Sequence, residues 1–480
     1  MPCALLLKSF AVIITFFNAR PGLGSAATFR RSWSVIRRAS SSPVAEAPAN
    51  NDRLKHVELA SHSKHAGDGK KSVHAKPGDE LVRGNKMAHF KVQTNQSFEQ
   101  WASTADWRNP RGSHLLDALV PFIELEHPLP LRPCPDDKRD VVTDADCHQS
   151  GDVFDGPRKA GPALLIDVSL LGFDLDLFEL RLHELEGSVD VFCVIEMPIT
   201  HRGQDKPLLW ARNKDKPRFA RFRDRILHVV VDDEHTLAFL HRLYHNRFEP
   251  VVWNYEWEQE KAGKAKLKKM LKDVFAKLKP GQEAVMSYGH VDELPSSWNL
   301  ALVKHCNPRT YPIDNGAWMP MGRFDRAFRT DIPVSKDLPF TYGNPSFHNP
   351  NVSMFRALGR SGRYLLGGWH MTQSAYPPLQ LVKELTCTEC RGNLAEADIK
   401  LLRRGQPGVR AYFEKISSLG RWPEYLNRTV PLEELRADSR APYKDRPDLL
   451  EPPRTVQCNA DRYEIWFGHY DRRLSTPLPN

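Results

Sequence analysis

Three consecutive stretches beginning at Ala163 restrict the fold more than any other part of the chain. Ala163–Leu171 (ALLIDVSLL) is an apolar run of strand length. Phe173–Glu186 places Leu175, Phe178, Leu182 and Leu185 at spacings of three and four, with Asp174 positioned to cap a helix and Gly187 to stop it. Val191–Glu196 (VFCVIE) is a second apolar run. Such runs suit strands buried on both faces, and a helix between them is the connection that parallel strands need. Ile226–Val231 predicts a third strand, and Tyr255–Lys279 a long helix with Leu267, Met270, Leu271, Val274, Phe275 and Leu278 turned inward. Its other face, with Lys264, Lys266, Lys268, Lys269 and Lys272, reads as a solvated stripe, because interleaved charge is what an exposed face carries. After Pro280-Gly281, a short buried strand, Ala284–Tyr288, breaks at Gly289 and delivers Asp292 and Glu293 into a loop closed by Pro295, ahead of a helix over Trp298–His305. The expectation is an α/β fold with a largely parallel sheet flanked by helices.

The net charge of +9 lies outside this part: residues 1–45 hold Lys8, Arg20, Arg30, Arg31, Arg37 and Arg38 and no acid, and residues 46–91 hold nine Lys and Arg against six Asp and Glu. From Val92 onward the chain is neutral. A neutral body lacks the basic face that nucleic-acid binding needs, so no nucleic-acid partner is expected. Ala4–Phe17 is apolar apart from Lys8, Ser9 and Thr15 and falls short of the roughly 20 residues of a comfortable membrane span. It fits a signal peptide or a marginal signal anchor, although the acid-free, Arg- and Ser-rich continuation also suits an organellar transit peptide. The expected layout is 1–45 signal peptide or anchor, 46–91 disordered stem, 92–160 cap or linker without an assigned role, 161–455 main folded domain, and 456–480 C-terminal tail.

Of eight Cys, Cys134 and Cys147 flank a Pro- and Asp-rich loop that they could bridge, and Cys387 and Cys390 form a lone CxxC, better read as a disulfide or two thiols than as a zinc site. Sequons at Asn95, Asn351 and Asn427 are consistent with a lumenal protein. Residues 310–380 are rich in Pro, Gly and aromatics, including Trp318, Phe324 and Trp369. Sugar rings stack on exposed aromatic faces, while core packing accounts for most of these residues. Two adjacent acids at a strand end, Asp292 and Glu293, are the candidate site, because open α/β sheets take ligands at the carboxyl ends of strands. They could bind a metal, act as a base, or cap the following helix.

Further pieces stand in order around them: FDLDLFELRLHE at Phe173–Glu184, VDVFCVIE at Val189–Glu196, Thr200-His201-Arg202-Gly203, Lys206-Pro207-Leu208, HVDELP at His290–Pro295 and Gly368-Trp369-His370. Together they resemble glycosyltransferase family 17, the β-1,4-mannosyl-glycoprotein 4-β-N-acetylglucosaminyltransferases that add the bisecting GlcNAc to N-glycans. The resemblance implies a GT-A-like nucleotide-sugar-binding sheet, UDP-GlcNAc as donor, a glycan or glycoprotein acceptor, inversion, and a divalent cation, Mn²⁺ or Mg²⁺. It also implies a lumenal catalytic domain in the Golgi or secretory pathway, held to the membrane through the N-terminal segment or secreted. Asp292 is then expected at the metal and diphosphate, Glu293 as second ligand or base, and His290 and His370 as further metal ligands. Glu196, Lys206 and Trp369 are expected to face substrate. The sequence departs from the family at His290, where the pattern has an Asp; a neutral imidazole there lowers the charge facing a metal or favours a softer ion. That departure keeps open a catalytically degraded relative that binds glycan or nucleotide without turnover. A glycoside hydrolase using Asp292 and Glu293 is disfavoured, since adjacent residues do not easily flank one glycosidic bond at about 5–10 Å.

Overall fold

A computed structural model of the chain describes residues 95–479 apart from 109–112, 136–140, 151, 246–251, 329–339, 342–345, 349–362, 372–375, 387–395, 420–428 and 438–446. The leader, the stem, Asn351, Asn427, Cys387 and Cys390 lie outside the described residues. Among the described residues no helix is long and apolar enough to cross a membrane.

The alternation beginning at Ala163 builds a mixed α/β fold. A ribbon of β1 (Phe154–Arg158) precedes β2 (Leu164–Leu170), β3 (Val191–Glu196), β4 (Ile226–Val230) and β5 (Ala284–His290). The last four are parallel, in the spatial order β4-β3-β2-β5. Next come β6 (Glu293–Pro295), β7 (Cys306–Pro308), which pairs with β1, and β8 (Ile313–Trp318). β9 (Pro320–Met321) and β10 (Arg323–Phe328) belong to a small separate sheet, whereas β11 (Phe340–Thr341), β12 (Ser346–His348) and β13 (Tyr364–His370) join the main one. β14 (Thr429–Pro431) completes the small sheet. The main sheet continues from β5 through β12, β8 and β13 to β6, with β12 antiparallel to both neighbours and β13 parallel to β8.

Side chains alternate across the sheet with period two. Leu165, Phe192, Val194 and Val285 pack on one face with the helices Leu175–Leu185 and Ser297–His305; Ile166, Val168, Cys193, Ile195, Met286 and Tyr288 pack on the other with Leu267 and Leu271 of the helix Val252–Phe275. Burial on both faces explains the near-continuous apolar runs. Gly289 does not break β5: it pairs with Ser169, and the strand runs on to His290. The residues expected as a loop around Glu293 form β6, which pairs with β13.

Lys264, expected on the solvated stripe, is buried; its ammonium lies 3.1 Å from Glu260 Oε2 and 4.6 Å from the centre of the Tyr288 ring. The preceding Gly263 explains this. A Cβ there would lie 3.0 Å from Ile195 Cγ2, so the helix settles close on β3 and the next residue is drawn in. Cys134 and Cys147 do not bridge each other: Cys134 is bonded to Cys458 and Cys147 to Cys306. Cys147 sits on the helix Asp144–Gln149, which packs against β1 and β7 where Cys306 begins, while Cys134 lies beside the helix Arg454–Cys458.

Residues 456–479, read in the sequence as a tail, are seated in the core. Arg462 Nη2 donates to Glu179 at 2.5 Å and Arg473 Nη1 to Asp176 at 2.6 Å, both on the helix Leu175–Leu185. Glu184 of that helix accepts the backbone N–H groups of Arg454 and Thr455 at 3.1 and 2.8 Å, a carboxylate at a helix N-terminus. Three of the four acids of FDLDLFELRLHE, Asp176, Glu179 and Glu184, therefore clamp the C-terminal segment.

Candidate functional site

The chain runs from β2 outward to β3 and β4 on one side, then crosses back to lay β5 on the other side of β2. At such a reversal the carboxyl ends of two parallel neighbours diverge and leave a crevice, the usual ligand position in open α/β sheets. Leu170 and His290 are aligned at this end of the sheet, and the chain leaves each strand toward an acid, Asp174 after β2 and Asp292 after β5.

A lysine joins these acids. Lys383, on the helix Pro377–Thr386, places Nζ 3.2 Å from Asp292 Oδ2, to which it donates, and 3.2 Å from Asp174 Oδ1, without hydrogen-bond alignment to the latter. All three side chains are 13% exposed, so the cluster borders solvent. The two carboxyls differ in proton affinity. Burial opposes ionisation of Asp292, yet the Lys383 ammonium, then His370 and His290, hold it well below the usual carboxylate range. Asp174 goes the other way: burial raises its proton affinity, Lys383 opposes this, and the neighbouring Asp292 adds to it.

Arg181 fixes the turn that carries Asp292. Its guanidinium forms two 2.7 Å bonds to the buried Asp167 carboxylate of β2 and donates through Nη1 to the carbonyls of Glu293 (2.6 Å) and His290 (3.1 Å). The Asp292 carbonyl accepts the N–H of Met371 at 2.7 Å, which ties the turn to the end of β13.

The other expected site residues fall into two groups. His290 and His370 lie at the rim, both half-buried and both close enough to act on the Asp292 charge. His290 Nε2 is 3.6 Å from Glu260 Oε1, and the His201 ring is centred 6.3 Å from its own. His370 is paired across the strands with Glu293. Lys206 is buried near the same crevice, 3.4 Å from the Gly172 carbonyl and 3.3 Å from that of Pro207, and burial lowers its proton affinity.

Glu293, Glu196 and Trp369 are engaged in holding the fold. The buried Glu293 carboxylate accepts the His290 N–H at 2.7 Å and so braces its own turn. Glu196 accepts the N–H groups of Trp210 (2.9 Å) and Ala211 (3.2 Å) at the start of the helix Leu209–Asn213 and lies 2.8 Å from His228 Nε2. Trp369 is 6% exposed and donates its indole N–H to the Glu451 carbonyl at 2.8 Å, so its ring offers no open face for stacking on a sugar.

Two members of the cluster, Asp174 and Lys383, are not singled out by the sequence pattern. Asp174 takes the N-cap position that its place before the helix suggests, but makes no capping hydrogen bond and turns to Lys383. The available signal was its place just past the end of β2, equivalent to that of Asp292 past β5. Lys383 has no local signal, because only the tertiary fold brings its helix to the crevice.

Among the described residues no group of three or more His, Cys, Asp or Glu side chains is gathered to hold a metal ion, and an ammonium faces the Asp292 oxygen such an ion would use. The residues as arranged do not fit a metal.

The main sheet is mixed: β4-β3-β2-β5 are parallel and the β12, β11 and β6 pairings are antiparallel, which with its flanking helices makes an α/β fold whose charged groups gather at the reversal beside β2, where such sheets take ligands. The family model for glycosyltransferase family 17 matches residues 138–314, which bears out the family resemblance and supports a glycosyltransferase. The match takes in Asp174, Glu196, Lys206, His290, Asp292 and Glu293 and ends before His370 and Lys383. No curated protein and no solved structure matches the chain.

Proposed function

We propose that the chain is a GT-A-type N-acetylglucosaminyltransferase that moves N-acetylglucosamine from UDP-GlcNAc to a β-linked mannose of an N-glycan, with inversion. The observation that carries this reading is the Asp174–Lys383–Asp292 cluster at the reversal between β2 and β5, partly within the segment that the family model matches. In the reaction the acceptor hydroxyl oxygen bonds to the anomeric carbon. The bond from that carbon to the diphosphate oxygen breaks, and UDP leaves with the bonding pair. The hydroxyl proton passes to a base.

Asp292, held ionised, anchors the cationic side of the site. Asp174 is our choice of base, because its raised proton affinity brings it nearer the working pH and its side chain reaches solvent. Glu293 acts by positioning the turn. The two disulfides support a lumenal location in the secretory pathway, where such bonds persist.

With the full-length chain, UDP-GlcNAc and an N-glycan acceptor, release of UDP is expected, and Asp292→Ala should lower kcat/KM by on the order of 100-fold or more. Undiminished activity in that variant would remove the site assignment. His290, standing where the family pattern has a carboxylate, favours a second reading, a binder without turnover. Measurable UDP binding with no transfer from any UDP-sugar would select it.

A further inference from the structure

We propose that Lys383 is the resident cation of this site: its tethered ammonium stands in for a divalent metal and meets the donor diphosphate, so that nucleotide binding and transfer proceed without added metal. This rests on the glycosyltransferase reading above.

The geometry argues for it from two sides. Lys383 Nζ lies 3.2 Å from one oxygen of each of Asp174 and Asp292, the carboxylates that follow β2 and β5. An Mg²⁺ ion would bind Asp292 Oδ2 at about 2.0–2.1 Å. Ion and ammonium would then share one oxygen at contact distances, and their repulsion at low local dielectric disfavours joint occupancy. A metal would first have to displace a lysine whose helix is anchored by buried Leu379, Leu381, Val382 and Leu385.

A second ammonium points the same way. Lys206 is 4% exposed, and its hydrogen-bond acceptors among the described residues are two backbone carbonyls; no carboxylate lies within ion-pair reach there. One of these carbonyls, that of Gly172, belongs to the Gly172–Asp174 turn that also presents Asp174 to Lys383. The Glu196 charge acts on Lys206 from beyond ion-pair distance and the Phe173 ring lies 5.5 Å from its ammonium, yet burial still lowers its proton affinity; a diphosphate would add the close anion that a buried ammonium favours. Two lysines at one turn thus provide N–H donors for the charge that gathers on the leaving diphosphate as it takes the bonding pair.

The test is UDP binding by the full-length chain, measured calorimetrically in EDTA and again with Mn²⁺, for wild type, Lys383→Gln and Lys383→Arg. Wild type is expected to bind UDP in EDTA, with affinity changed by no more than about twofold by Mn²⁺. Lys383→Gln should lose about 10- to 100-fold in EDTA, the range for a charge-assisted hydrogen bond, and recover part of it with Mn²⁺ on the vacated carboxylates. Lys383→Arg should keep most of the metal-free affinity. Binding by wild type only when Mn²⁺ is present overturns the proposal and leaves the glycosyltransferase reading standing. No UDP binding by wild type under either condition overturns both. Wild-type affinity in Lys383→Gln also overturns the proposal. If that variant does not fold, the wild-type comparison decides by itself.

Discussion

Gly368 shows how a single residue sets the site. Its φ is +123°, and a Cβ added there would lie 2.5 Å from the Leu294 carbonyl, so only glycine lets β13 press against β6 and set His370 opposite Glu293. Gly368→Ala should cost on the order of 1–3 kcal/mol in urea unfolding and reduce sugar transfer. An unchanged midpoint would contradict this account of the Gly-Trp-His triplet. At this scale the sequence was informative where position along a strand implies role. Asp292 could be picked out because it follows a strand end. Trp369 could not be placed, since an aromatic in a Pro- and Gly-rich stretch looks the same whether it faces a sugar or, as here, the core. Glu196 and Glu293 were similarly ambiguous, because a carboxylate at a strand end serves equally to hold a backbone amide or a ligand.

The helix Leu175–Leu185 is the element on which most of the structure converges. Its Arg181 is fully buried against Asp167 and holds the two carbonyls that flank Asp292, while Asp176, Glu179 and Glu184 receive the C-terminal segment. Arg181→Met leaves the Asp167 charge buried and unpaired and should destabilise the fold by about 3–5 kcal/mol. Adding Asp167→Asn should recover a large part of that loss, as read from chemical denaturation of the single and double variants. Transfer activity is expected to stay low in the double variant, because the turn remains unheld; full recovery of activity would argue against that role for Arg181. Strands β2 to β5 and the helices Leu175–Leu185, Val252–Phe275 and Ser297–His305 were legible in the sequence, Val191–Glu196 to the residue, because apolar periodicity survives folding, whereas β6, β8 and β13, short or set among Pro, Gly and aromatic residues, were not. What periodicity does not encode is contact between elements. Lys264 falls on the polar face by spacing, yet the close approach at Gly263 buries it.

At the scale of the whole molecule, both ends of the described chain meet: the Asn95 N–H donates to the Leu478 carbonyl and the Leu478 N–H to the Gln96 carbonyl, each at 3.1 Å. Cys134–Cys458 and Cys147–Cys306 tie residues 324 and 159 positions apart, so reducing them should cost about 2–4 kcal/mol per bond and lower Tm in thermal scans with reductant. Neither pairing was legible, because cysteines close in sequence look like the simplest bridge, and the tertiary fold decides otherwise.

Stability should also fall on mild acidification. Burial, then Arg473, pushes His127 down to about 4, and burial, then Arg221, pushes His183 down to about 3, both from an ordinary 6.5. As pH drops below about 6.5 the unfolded chain takes up these protons first, so the stability present above that value is lost progressively toward the folded pKa values. Tm should decline from about pH 7 to about pH 5, less steeply in His183→Gln; parallel curves for the two proteins would contradict this assignment.

The central claim is that the crevice between β2 and β5 transfers a sugar from a nucleotide. The most direct measurement is mass spectrometry of a defined N-glycan incubated with the full-length chain and each UDP-sugar in turn. A gain of one N-acetylhexosamine from UDP-GlcNAc with wild type, absent with Asp292→Ala, is the predicted result. A glycan left unchanged by every UDP-sugar, or modified equally by the Asp292→Ala variant, would contradict it.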